Sequence, residues 1–147
     1  MKTNGLIFFT ALLLLIFSAF ISAQEYGKII SKSEADQLFG TVVESTSMSA
    51  SELKTIIANT TNYVMFRLDN GEITILGDGR AVLYPAGKSV SSSVVFHVYS
   101  KSKLNELLGD NPSGTLAYEN RASVFSITFG LNTLEYSLLC PPICPEN

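Results

Sequence analysis

The sequence holds one histidine, two cysteines that lie close together near its end, and no tryptophan. A Ser-His-Asp centre could therefore be built only through His97, and Cys and His alone fall short of the four ligands of a structural zinc site. Positive charge is also short, with 10 Lys and Arg against 13 Asp and Glu. A mildly acidic, well-mixed surface offers no electrostatic footprint for nucleic acid or anionic membranes, so neither is expected as a partner. Long apolar runs are confined to the first segment, which leaves no second membrane span. What remains, 147 residues at 46% hydrophobic, suits one small globular domain.

That first segment, MKTNGLIFFTALLLLIFSAFISAQ, carries Lys2 as its only charge, then apolar residues from Leu6 to Ile16, then Ser18, Ala19, Ser22 and Ala23. The order charge, apolar stretch, small residues is the grammar of a secretory signal peptide. Cleavage is expected after Ala23, with an uncleaved membrane anchor as the competing reading. The expected organisation is a signal peptide at 1–23, one domain at 24–139 and a Cys/Pro-rich tail at 140–147. A secreted or periplasmic location follows.

Three short helices share one pattern, a Ser start followed by apolar residues at helical spacing. They are Ser33 with Ala35, Leu38 and Phe39; Ser49 with Leu53, Ile56 and Ile57; and Ser100 with Leu104, Leu107 and Leu108. Ser49 and Glu52 have capping-box spacing, and Gly40 and Gly109 stand where the first and third helices should stop. Strand signals fill most of the rest. Val64, Phe66 and Leu68 alternate with Tyr63, Met65 and Arg67, and Asp69-Asn70-Gly71 then marks a hairpin turn. Further strands are expected at Arg80 to Tyr84, Val94 to Tyr99, Thr115 to Glu119, Ser123 to Phe129 and Thr133 to Leu139.

In that last pair, Phe125, Ile127 and Phe129 should face Leu134, Tyr136 and Leu138 on one buried face. The expected core is Phe66, Ile75, Phe96, Ile127, Leu134 and Leu138 under Leu53, Ile57, Leu104 and Leu108. The fold class is therefore α+β, a mostly antiparallel sheet with three short helices on one face. Strand-helix-strand-strand-strand occurs twice, with Leu53 and Leu104 in equivalent places, which fits either two tandem β-α-β-β-β units or the common patterning of α+β proteins.

The C-terminus carries Cys140-Pro141-Pro142-Ile143-Cys144-Pro145. In an exported chain, two cysteines so spaced most simply form a disulfide, Cys140 with Cys144, and so small a loop removes little chain entropy. The spelling CPPICPEN also resembles the C-P-x-x-C-P segment of Sco-type copper-delivery proteins. That resemblance implies copper held by Cys140 and Cys144, with His97 as the available third ligand. It covers about eight residues, and in that family the motif sits early in a thioredoxin-like fold with its His downstream, whereas His97 lies upstream here.

His97 falls in a strand, on the face opposite Val94, Phe96 and Val98. If the strands are neighbours, Tyr63, Met65, Arg67, His97 and Tyr99 could share that face. Tyr, Met and Arg are types enriched at interfaces, so this stripe is the candidate binding surface. Asp69, Asn70, Glu72 and Asp78 lack the spacing of a calcium loop and suit turns. Asn59-Thr60-Thr61 is a glycosylation sequon. The expected function is a non-enzymatic module, without cofactor, that binds a protein or another extracellular ligand; the alternative is a thiol-based copper or redox protein that uses the terminal Cys pair.

Overall fold

The computed structural model describes residues 24–145. The leader segment and its cleavage point lie outside the described residues, as do Glu146 and Asn147. The elements run β1 (Lys28–Ser31), α1 (Lys32–Phe39), β2 (Val42–Ser49), α2 (Ala50–Ile57), β3 (Tyr63–Asp69), β4 (Glu72–Leu76), a 3-10 turn (Asp78–Arg80), β5 (Val82–Tyr84), β6 (Phe96–Ser100), α3 (Lys101–Leu108), β7 (Thr115–Arg121), β8 (Phe125–Phe129), β9 (Asn132–Glu135) and β10 (Leu138–Cys140). The fold is α+β. Its strands make two antiparallel sheets rather than one: sheet I in the order β1-β9-β8-β7-β2, and sheet II in the order β10-β6-β3-β4-β5.

The division follows from how the two halves interlock. The units β2-α2-β3-β4-β5 and β6-α3-β7-β8-β9 have the same element order. Each gives its first strand to the other's sheet, so that β2 pairs with β7 and β6 pairs with β3. The strand-to-helix junctions share one backbone hydrogen bond. Ala50 N donates to Gly114 O at 3.0 Å and Lys101 N to Asn62 O at 2.8 Å, each tying a helix start to the residue before the partner strand. The same contact occurs a third time where Lys32 N donates to Leu131 O ahead of β9.

Ser precedes each helix because its extended backbone suits an N-cap. Ser31 Oγ accepts from Glu34 N at 3.1 Å, so the N-cap of the first helix is Ser31, two residues before the expected Ser33. Ser49 makes no such bond and instead meets Ser51 Oγ at 2.8 Å, so the capping box expected with Glu52 does not form. Gly40 and Gly109 end their helices with φ of 77° and 70°, a region that costs glycine nothing. Asn70 and Gly71 form the two-residue β3-β4 hairpin, both at positive φ as this turn requires.

The main core lies between the sheets. Phe66 of sheet II packs on Tyr118 and Phe125 of sheet I at ring separations of 5.7 and 6.0 Å. Leu53, Ile57, Leu104 and Leu108 close the same core from α2 and α3. Ile75, Ile127 and Leu134 belong to it as expected, with Ile127 directly opposite Leu134. Phe96 packs instead in a second cluster with Met65, Leu76, Val98 and Cys140, and Leu138 lies against it. The reason is strand alternation: Phe96 and Val98 point away from the face that carries Phe66.

Two expectations about helices and strands need correction. Only α2 and α3 join the inter-sheet core; α1 lies against β1 and β9 and buries little beyond Ala35. The single strand expected from Thr133 to Leu139 is broken. Tyr136 adopts φ 62°, and the chain passes there from β9 in sheet I to β10 in sheet II. Tyr136 and Leu138 therefore do not continue the buried row that Leu134 begins.

Because Ile127 is fully buried where both sheets meet, Ile127→Ala should lower unfolding free energy by about 2 to 5 kcal/mol. Urea denaturation of the purified variant checks this, and a loss within experimental error would contradict the packing.

Candidate functional site

The expected stripe of Tyr63, Met65, Arg67, His97 and Tyr99 is not brought together on one face. In the antiparallel register, Met65 sits opposite Val98 and Phe66 opposite His97. Tyr63, Met65 and Arg67 thus share a face with Val98, while His97 and Tyr99 point between the sheets. Met65 and Tyr99 are buried. The Tyr99 hydroxyl donates to Phe125 O at 2.6 Å, crossing from one sheet to the other. Burial pushes its pKa well up, so it stays a neutral donor.

His97 lies at a different site, where the two sheets meet beside the crossover at Tyr136. Here a cleft of about 260 Å³ is lined by Phe39, His97, Ser123, Val124, Tyr136, Ser137 and Leu139. The imidazole stacks on Phe125 with ring centroids 5.2 Å apart, and its Nδ1 lies 2.9 Å from Ser137 Oγ. Burial, assisted by the nearby positive charge of Arg67, pushes the His97 pKa down from 6.5 to about 4. The ring is accordingly neutral at physiological pH, suited to exchange hydrogen bonds but weak as a general base.

Tyr136 forms the rim. It is 51% exposed despite its size, meets Phe39 edge-on at 5.6 Å, and lies under Lys28 Nζ at 5.9 Å. A non-glycine residue at such a φ costs on the order of 1 to 3 kcal/mol and persists where surrounding structure holds it. No alternation or turn signal marks it, because the sequence pattern of a continuous strand runs straight through it.

Directly behind the cleft, the outer face of sheet I carries a buried polar network beneath α1. Arg121, fully enclosed, donates to Asp36 at 2.8 Å, to Glu119 at 3.0 Å, to Ser126 Oγ at 3.2 Å and to the carbonyl of Gly40. Thr128 Oγ1 donates to Glu119 at 2.9 Å, and Ser126 Oγ donates to Glu135 Oε1. Glu135 is wholly buried, 3.9 Å from Arg121 Nε, and its Oε2 has no partner. Burial raises its pKa from 4.5 to about 7, with Glu119 adding to the rise while Ser126 and Arg121 oppose it. Arg121 holds the Asp36 carboxyl below its ordinary value. Sequence reasoning missed this network, although Glu119/Arg121, Ser126/Thr128 and Thr133/Glu135 repeat a polar pair on alternate positions of three successive strands.

Cys140 and Cys144 form a disulfide. Cys140 is paired with Phe96 and Leu139 with His97, so consecutive residues turn Cys140 and His97 to opposite faces of sheet II. The ligand set implied by the copper-protein resemblance is thus divided by the sheet, with both sulfurs engaged in the bond. Among the described residues, no group of three or more His, Cys, Asp or Glu side chains is placed to hold a metal ion. Asp78 serves the fold: despite partial burial, amides of Thr61, Asn62 and Tyr63 hold its carboxyl below the ordinary value.

Two titrations test these environments. His97 is the only histidine, so its imidazole resonance in an NMR pH series is unambiguous. It should stay unshifted between pH 8 and 5 and move near pH 4; a midpoint between 6 and 7 would contradict its burial. For Glu135, the folded protein binds the extra proton between pH 4.5 and about 7. Its stabilising contribution is therefore whole below pH 4.5 and lost as pH rises through 7. Glu135→Gln should gain stability relative to the parent as pH goes from 5 to 8, read by urea denaturation at each pH, whereas a constant difference would refute the shift.

Compared with protein-family models, curated proteins and solved structures, the chain matches none.

Proposed function

We propose that this protein is an exported, non-enzymatic binding module, and that the cleft between Phe39, His97, Tyr136 and Leu139 receives an uncharged apolar or aromatic side chain of a protein partner. The observation that carries this reading is Tyr136, a half-exposed aromatic held at φ 62° on the cleft rim. Strained backbone concentrates at functional sites, and exposed tyrosines are common anchors of interfaces. The lining supports the choice of ligand. No formally charged residue lies among its seven, Lys28 over the Tyr136 ring not being one of them, and His97 is neutral, so a charged group seated in the cleft would lose hydration without a counter-ion in the lining. Ser123, Ser137 and the imidazole offer hydrogen bonds to a polar edge, such as a tyrosine hydroxyl or a backbone amide.

The same residues support a binding rather than a catalytic role. Ser137 and His97 are hydrogen-bonded, but the imidazole's low pKa makes it a poor acceptor of the serine proton. Export is supported by the leader's grammar and by the disulfide, which persists in oxidising compartments. No helix among the described residues is long and apolar enough to cross a membrane.

A displayed random-peptide library tests the reading when panned on the protein and counter-selected on Tyr136→Gly. Selected peptides should share one aromatic or aliphatic anchor and bind the variant about 30-fold more weakly, as loss of a central interface aromatic does. Glycine tolerates the backbone at position 136, so the variant's stability should stay within about 1 kcal/mol of the parent. Peptides that bind both proteins equally, or no enrichment over the counter-selection, would overturn the proposal.

A further inference from the structure

The two ends of the C-terminal disulfide differ in burial and in their neighbours. Cys140 ends β10 in the cluster of Met65, Leu76, Phe96 and Val98, and is fully buried. Cys144, four residues on, is exposed. Cys144 is therefore the end open to an external thiolate, which makes Cys140 the leaving group.

The leaving sulfur faces a cation. Arg80 Nη1 lies 3.5 Å from Cys140 Sγ and donates to Cys140 O at 3.3 Å. Its Nη2 donates to Ser91 O at 3.2 Å and Val94 O at 2.9 Å, and the guanidinium stacks over the Phe96 ring at 5.1 Å. These oxygen acceptors carry no formal charge, so they fix the guanidinium without neutralising it. Arg80 itself sits at φ 64°, a left-handed conformation that ordinary side chains rarely adopt. A cation beside a sulfur favours its thiolate, and a better leaving thiolate speeds exchange. A disulfide closing so short a loop adds little stability by itself, so this arrangement is more than a structural staple needs.

We propose that Cys140–Cys144 is an exchange-active disulfide that oxidises external thiols, with Cys144 as the attacked sulfur and Cys140 as the leaving thiolate held by Arg80. In the first step, the external thiolate bonds to Cys144 Sγ, the Cys144–Cys140 bond breaks, and its electron pair leaves on Cys140 Sγ. In the second, another thiolate attacks the external sulfur of the mixed disulfide. The bond to Cys144 breaks, an external disulfide departs, and the Cys144 thiolate takes a proton from water. Two external thiols are thereby oxidised and the protein disulfide is reduced by the same two electrons. The co-reactant chemistry is a thiolate, carried either by a small molecule or by a cysteine of a polypeptide.

The test treats the purified, oxidised protein with excess reduced glutathione under native conditions, quenches with N-ethylmaleimide, and locates the adduct by mass spectrometry. Glutathione should appear on Cys144, and Arg80→Gln, shown folded by its thermal melt, should react about ten-fold more slowly. An adduct on Cys140, reaction only in denaturant, or an unchanged rate in folded Arg80→Gln would overturn the proposal. Cys144→Ser gives an independent reading if Arg80→Gln fails to fold. Its Cys140 thiolate absorbance at ~240 nm should titrate below the free-cysteine value of about 8.5, and titration at or above that value would overturn it. A reduced two-cysteine peptide, run in parallel, identifies polypeptide thiols as co-reactant if it reacts, and small thiols if glutathione alone does.

Discussion

Each half of the chain completes its sheet only by receiving the first strand of the other half, and most of the packing depends on that exchange. Without β6, sheet II would keep only β3, β4 and β5; without β2, sheet I would lose the strand that flanks β7. The helices that follow the exchanged strands are thereby drawn to the middle of the molecule. Their apolar faces, Leu53 and Ile57 on one and Leu104 and Leu108 on the other, meet the aromatic layer of Phe66, Tyr99, Tyr118 and Phe125. A two-turn helix is marginal alone, so these form because the exchange places them over a ready apolar surface. The cost is sequence distance: β2 must find β7 and β3 must find β6 before much of the core exists, which makes for slow, non-local folding.

The helices were legible because their apolar residues recur at helical spacing and a Ser or a Gly marks the ends. The β3-β4 hairpin was legible because Asn-Gly admits the positive φ of its turn. Register was not legible, and parity explains the consequence. In an antiparallel pair, which residues share a face depends on whether paired numbers sum to odd or even. Met65 pairs with Val98, so odd positions of β3 join even positions of β6, which separates Met65 and Arg67 from His97 and Tyr99. The leading residues of the expected surface thus fell on two faces, one of them inside the core.

Buried charge was the other blind spot. Charged residues are ordinarily exposed, so nothing in the sequence singles out Glu119, Arg121 and Glu135 as buried. Their burial needs α1 above them, and Asp36, which meets Arg121, is 85 residues away in sequence. The result is one polar layer between α1 and sheet I on one side of the crossover and a neutral, aromatic cleft on the other. Glu135 and Tyr136, adjacent in the chain, belong to these two environments because the backbone turns between them. The position of the cleft is thus set by the same bend that sends the chain from sheet I to sheet II.

Strand exchange within one chain also bears on how copies of the chain relate to one another. The segment 85–95 is the only covalent connection between the two interlocked units, and Arg80 anchors its carbonyls at Ser91 and Val94. A β6 from a second copy would find the same edge of β3 and the same amide partners. The native choice therefore rests on local concentration: a short connection holds the two units at an effective concentration in the ~mM range, far above that of a second copy in dilute solution. By mass action, dilution favours the self-paired arrangement over any reciprocal one built from the same hydrogen bonds.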